Sequence, residues 1–283
     1  MMPATSRTPA APAALSLFDL TGKVAIVSGS ASGMGKAASL ALAAHGATVI
    51  MLDRNAAGLE VTAQEIAAAG GRAVARVHDV ADVEEAGRLF TWIDGAFGRV
   101  DFLANIAGEG IMTDPLDLTA AQIRTALENL VVGRYALCRE AGSRMIRQGG
   151  GSIVNTGSLA SLTALGRGHV AYSMAMGAVA QMTRELSTEW ASRGVRVNAI
   201  LPAQVMNPGL AERIAADPSI ERTWLAGIPR GRLGRPEDIQ GLIVLLASDA
   251  SSWITGALIP MDGGNLAMNA GGSIGGAHAG ATR

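Results

Sequence analysis

The run Ser28-Gly29-Ser30-Ala31-Ser32-Gly33-Met34-Gly35 sets three glycines on a Gly-x-x-x-Gly-x-Gly spacing directly behind the apolar stretch VAIVS. Glycine has no side chain to block a pyrophosphate, and a helix opening here offers unpaired N–H groups and the positive end of its dipole. Gly29, Ser32, Gly33, Met34 and Gly35 are therefore the candidate cradle for a dinucleotide. Tight turns need glycine in any case, so it is the strand before and the helix after that give the spacing its weight. The next apolar run ends at Asp53, about 18 residues past Gly35. A carboxylate there accepts hydrogen bonds from both ribose hydroxyls of an adenosine and repels a 2′-phosphate. With no basic residue inside the glycine loop, NAD is expected over NADP, with Arg54 the one adjoining cation. Asp79-Val80 holds the adenine edge on one reading, and Asp79 is an acidic helix cap on the other.

Such residues need elements to position them, and the chain alternates strand with helix. The strands are VAIVS, ATVIML, AVARV, VDFLAN, SIVNTG and VRVNAIL. Between them lie amphipathic or Ala-rich stretches at residues 35–45, 56–69, 83–97, 119–147 and 171–192. Continuous apolar strands separated by such helices predict an α/β fold with a single doubly wound parallel sheet, Rossmann-type, covered on both faces. No composition break interrupts residues 18–264, which read as one domain with a helical lid at 206–235. Flexible tails are expected at 1–17 and 265–283, the second rich in Gly and Ala.

Composition narrows the partners. A net charge of −1 over 283 residues leaves no electrostatic footprint for nucleic acid or an anionic membrane. The apolar runs fall short of the roughly 18 residues a membrane span needs, and the first residues lack the apolar core of a signal peptide. The single cysteine, Cys138, excludes an internal disulfide and a cysteine-based zinc site. A cytoplasmic protein acting on a small molecule, with no metal site, is the expectation.

Further motifs complete a recognisable set: Asn105-Ile106-Ala107-Gly108, Asn129, Ser158 after SIVNTG, Tyr172, RVNAILPA, GRPEDI and TGALIPMDGG. With the glycine loop and Asp79-Val80, the chain resembles the short-chain dehydrogenase/reductase family from about Leu17 to Gly264. The resemblance implies a nicotinamide cofactor lined also by Asn105, Ala107, Gly108, Tyr172, Pro202, Val205 and Asn207. It further implies a homo-oligomer, usually a tetramer built through the two longest helices and the last strand. Ser158 would polarise the substrate oxygen, Tyr172 would be the general acid/base, and Asn129 would hold a relay water.

The family's lysine lies four residues after the tyrosine, one helical turn on, and here that position is Met176. A thioether neither carries charge nor donates to ribose hydroxyls. The chain's only lysines, Lys23 and Lys36, belong to the first strand and helix. Ala203 stands where the family usually has glycine after Pro202, and Asn207 where a threonine commonly touches the nicotinamide carboxamide. Glu109, Arg167 and His169 are the nearby polar candidates for a compensating role. The Met and Leu residues of the lid, with Trp224, suggest a small, moderately apolar substrate. An NAD-dependent oxidoreductase acting on an alcohol or carbonyl with an altered base system is the leading expectation. Non-redox acid/base chemistry on the same fold (a lyase, isomerase or hydrolase) and a non-catalytic NAD-binding regulator or partner subunit stay open.

Overall fold

The computed structural model of the chain describes residues 14–166 and 168–268. Seven strands occur among them: β1 (Val24–Ser28), β2 (Thr48–Asp53), β3 (Arg72–Val77), β4 (Phe102–Asn105), β5 (Gly151–Thr156), β6 (Val195–Pro202) and β7 (Leu258–Met261). They form one parallel sheet in the order β3-β2-β1-β4-β5-β6-β7. Helices surround it: α1 (Gly33–Ala44), α2 (Ala56–Ala68), α3 (Val83–Phe97), α4 (Ala120–Leu127), α5 (Gly133–Gln148), α6 (Val170–Trp190), α7 (Pro208–Ala216), α8 (Ser219–Leu225) and α9 (Gln240–Ala247). The architecture is the expected doubly wound, Rossmann-type sheet.

Successive side chains of a strand point to opposite faces, which is why the inner strands, covered on both sides, are apolar along most of their length. Ala25, Val27, Val49, Met51 and Val154 enter one core with α1, α2 and α9. Val24, Ile26, Ile50, Leu52 and Ile153 enter the other with α3 and α5. Each of these side chains larger than alanine contributes about 1.5–3 kcal/mol by leaving water. Strand order reverses between β1 and β4, whose neighbours in the sheet are registered Ala25 to Phe102 and Val27 to Ala104. The loops after these two strands part there and open a crevice above the carboxyl ends of the sheet.

Three local details refine the picture. The single helix expected at 119–147 is divided by a π-helical turn, Glu128–Val132, between α4 and α5. There a Cβ on Gly133 would fall 1.9 Å from the Val80 carbonyl oxygen, so the chain runs tight against the loop after β3. Residues 14–18, which straddle the expected boundary between tail and domain, form a 3-10 turn. At the end of the described chain Asn265 Nδ2 donates to the Gly227 carbonyl at 2.7 Å and ties residue 265 to the segment after α8. The remainder of both tails, 1–13 and 269–283, lies outside the described residues. Among those described, no helix is long and apolar enough to cross a membrane.

Candidate active site

The glycine loop follows β1 and is pinned from below. Ser30 Oγ donates to the Val27 carbonyl, and Thr62 Oγ1, from α2, donates to the Ser30 carbonyl. Gly35 has no space for a side chain, since a Cβ there would lie 2.0 Å from the Gly29 carbonyl oxygen and 3.1 Å from that of Ser28. Gly33 is the reverse case: its φ of +54° favours glycine, and a Cβ would meet nothing within 4 Å. Asn55, Asp82, Thr119 and Asn207 each accept a first-turn N–H of α2, α3, α4 and α7 through their side chains. Ser32, the N-cap of α1, makes no such bond. Open space over Gly33 and first-turn amides without a side-chain cap fit an anionic diphosphate.

Asp53 closes the far end of this cleft, accepting from Ala31 N at 3.1 Å and Asn55 N at 2.9 Å. Beside it Asp79 accepts from Ala81 N and stands 3.9 Å from an Arg54 guanidinium nitrogen. Helix α3 is capped by Asp82, which removes the capping alternative for Asp79. His78, missed by sequence reasoning, is buried here with neither ring nitrogen paired. Burial holds its pKa below the ordinary imidazole value, against the opposing pull of Glu85, Asp82 and Asp79. The cleft has a volume of about 330 Å³, and its walls include Gly29, Gly35, Asp53, Val80, Ala107 and Asn129.

A pocket of about 900 Å³ continues from it, sharing Ser32, Met34, Ile106, Gly108 and Glu109 as common wall. Ser158, Tyr172, Met176, Pro202, Ala203, Val205, Asn207, His169 and Trp224 all line this second space. Ser158 ends the loop after β5, and its Oγ accepts from Ala160 N at 3.2 Å, which leaves its own proton free to donate outward. Tyr172 sits in the first turn of α6, edge-on to the His169 ring at 6.0 Å. A Cβ on Gly110 would come within 2.5 Å of the Tyr172 ring, so the loop after β4 lies directly on it. Residues of α7 and α8 line the space, and there the Arg213 guanidinium stands 5.8 Å from the Trp224 ring. Asn207 spends its amide oxygen on capping α7 through Leu210 N, at 2.9 Å.

Two expected site residues sit elsewhere. Asn105 is fully buried beneath the cleft, donating to Asn155 Oδ1 at 3.0 Å and Cys138 Sγ at 3.2 Å, so it ties β4 to β5 and α5 instead of lining the cofactor space. Asn129, in the π-helical turn, faces the dinucleotide cleft, whereas the neighbouring Leu130 lines the pocket with Tyr172. Leu130 and Met176 share a buried apolar cluster with Ala160, Ala175 and Val179, against which Tyr172 packs. Arg167 lies outside the described residues.

Arg134, one turn beyond Leu130 on α5, is the other residue the sequence reading passed over. It is 3% exposed, lines the pocket, and donates to the carbonyls of Ala107, at 3.1 Å, and Thr156. Its Nε has no partner. Burial pushes its pKa down to about 10, opposed by the charges that Tyr172 and Cys138 carry when deprotonated. An arginine on a helix face otherwise made of Leu130, Cys138, Ala141 and Met145 was the signal that could have revealed it. Burial in turn raises the Cys138 thiol to about 12, leaving it unreactive.

The family described as enoyl-(acyl carrier protein) reductase matches residues 29–265 of the chain. Galactitol 2-dehydrogenase (L-tagatose-forming) of Cereibacter sphaeroides is 38% identical over 88% of this chain and 96% of its own length. An NAD-dependent glycerol dehydrogenase of Listeria innocua is 35% identical over 87% of this chain and 95% of its own. Among solved structures, a short-chain type dehydrogenase/reductase from Mycobacterium marinum superposes with a TM-score of 0.82 at 32% identity, covering 90% of this chain and 99% of that one. A gluconate 5-dehydrogenase from Burkholderia cenocepacia J2315, in complex with NADP and tartrate, gives 0.84 at 26% identity, with the same 90% and 99% coverage.

Proposed function

The chain belongs to the short-chain dehydrogenase/reductase family, and from that premise we propose that it oxidises a secondary hydroxyl of a small polyol with NAD, and reduces the corresponding ketone in reverse. The continuity of the two spaces carries the proposal: the shared wall from Ser32 to Glu109 joins the glycine loop to Ser158 and Tyr172. When bound, the nicotinamide supplies the hydride acceptor. Tyr172 takes the hydroxyl proton, and Ser158 donates to the same substrate oxygen, its lone pair already engaged by Ala160 N. Asp53 supports NAD over NADP, since it would repel a 2′-phosphate at the ribose it faces.

A polyol suits this pocket better than the moderately apolar alcohol that the lid residues suggest. Gln204 Oε1 and Thr156 Oγ1 are buried on residues lining it and have no partner. An unpaired buried polar atom costs about 1–3 kcal/mol, and substrate hydroxyls can pair such groups where a hydrocarbon cannot. Met176 stands, on this proposal, at the family's lysine position, so the base system is altered. Assembly is proposed as a homotetramer that includes β7, the half-buried edge strand at Leu258–Met261, and the location as cytoplasmic. The test is a panel of galactitol, threitol and glycerol assayed with NAD and with NADP. Reduced cofactor should form with NAD and at least one polyol, and its absence across the panel would refute the proposal.

A further inference from the structure

We propose that Gly110 is a positioning residue for Tyr172: the bare backbone of the loop after β4 closes on the phenol ring and fixes where its hydroxyl points. This rests on Tyr172 being the proton acceptor of the reaction proposed above. A base must stand within hydrogen-bond reach of the proton it takes, so the ring has to be held in place. Hydrogen bonds do not hold it, because Tyr172 makes none with a described residue. Met176, one turn on along α6, offers only a thioether. Packing is left.

That packing has three parts. Tyr172 lies against the apolar cluster of Leu130, Ala160, Ala175, Met176 and Val179. Beside it stands the His169 ring, 6.0 Å away and inclined at 70°. The third part is Gly110, where a Cβ would fall 2.5 Å from Tyr172 Cδ2, 3.1 Å from Cγ and 3.2 Å from Cε2. All three atoms belong to the ring, and none is the loose end of a flexible chain. A side chain at position 110 therefore leaves one choice: the ring moves, or the loop does.

Glycine is not needed at position 110 for its backbone freedom. Its φ lies outside the left-handed region and the residue is exposed, so alanine suits both the local chain and the solvent side. What alanine cannot do is let the loop rest on Tyr172. The same loop is tied at a second point, where Thr113 N donates to the Gly168 carbonyl at 3.0 Å, just ahead of α6. Gly168 has a φ of +76°, and a Cβ there would lie 2.9 Å from the Thr113 carbonyl oxygen. Two close approaches, each made by a glycine, thus draw the loop after β4 onto the segment that carries Tyr172.

The chain has two tyrosines, so in a Tyr135→Phe background tyrosine labelled with carbon-13 in the ring reports Tyr172 alone by NMR. Gly110→Ala in that background should move the ring resonances, with neither substrate nor cofactor present. Gly177→Ala, on α6 where a Cβ meets nothing within 4 Å, is the reference for an alanine that touches nothing. In polyol oxidation Gly110→Ala should lower kcat by about tenfold or more while NADH affinity stays within about threefold, because displacing a reacting group by about 1 Å can cost 10²-fold in rate. Gly168→Ala, which parts the loop from its second tie, should move the same resonances and replaces Gly110→Ala if near-ultraviolet circular dichroism shows that variant unfolded. A folded Gly110→Ala protein whose ring resonances shift no more than those of Gly177→Ala overturns the proposal, and so does one that turns over at the parent's rate. A merely structural role would lower melting temperature and leave ring resonances and kcat unmoved, which also overturns it. Because the ring readout needs no turnover, failure to find a polyol substrate would strike the proposed reaction, and the resonances would still decide this inference.

Discussion

Leu130 and Met176 meet in one buried apolar cluster on the underside of Tyr172, Leu130 from the π-helical turn and Met176 from α6. Neither can hold a water or a ribose hydroxyl, so proton movement at Tyr172 depends on groups outside this cluster. Placing an ammonium here would bury a charge among hydrocarbons, in a pocket that Arg134 also lines.

Met176→Lys should therefore destabilise the protein, by about 3–5 kcal/mol if the charge is retained and unpaired. Chemical denaturation measures the difference. A variant as stable as the parent would show that the cluster is not dry, or that the new side chain escapes it.

Asp53 should set cofactor preference. In fluorescence titrations NADH should bind at least about tenfold more tightly than NADPH, roughly 1.4 kcal/mol. Asp53→Ala should narrow that ratio and weaken both, since Ala31 N and Asn55 N lose the acceptor that shapes the loop. Equal affinities in the parent would contradict the assignment of NAD.

Gly35→Val should cost affinity for both cofactors, at least about tenfold. The cause is the collision of its Cβ with the Gly29 carbonyl, which forces helix α1 away from β1 and spoils the loop itself. Unchanged titrations would mean that the loop is a turn and nothing more.

His78 introduces a pH dependence whose sign follows from burial. Its pKa is depressed in the folded protein, so the unfolded chain binds the proton more readily. The stability it contributes is complete above the unfolded value near 6.5 and is lost as pH falls from there through the lowered folded value. Between pH 7.5 and 5 the parent's melting temperature should drop by at least about 2 °C more than that of His78→Leu. Parallel declines would place the acid sensitivity elsewhere.

Much of this was legible in the sequence, for a physical reason. Strands buried on both faces leave long apolar runs, so the sheet declares itself, and Gly29, Gly33 and Gly35 mark the turn from β1 into α1. Tyr172 and Ser158 line one pocket because Ser158 ends the loop after β5 and Tyr172 lies in the first turn of α6. Which wall a helical residue faces is a finer matter. Within the π-helical turn the consecutive residues Asn129 and Leu130 line the cleft and the pocket respectively, and 3.6-residue periodicity cannot resolve that. Asn105 reads as a cofactor residue by motif, yet its amide nitrogen is engaged by Asn155 and Cys138 beneath the cleft. Arg134 escaped notice because arginine is common on helices, and only the fold shows this one turned inward between two strand ends.

The most direct test follows reduced-nicotinamide formation by the parent and by Tyr172→Phe at saturating NAD with the best polyol of the panel, alongside NAD affinity for both. Loss of a general base lowers the rate by about 10²–10⁴-fold. The expected result is turnover by the parent, a fall of at least about 100-fold in the variant, and NAD affinity changed by less than about fivefold. A Tyr172→Phe protein that binds NAD and oxidises the polyol at the parent's rate would contradict the assignment of Tyr172 as the proton acceptor.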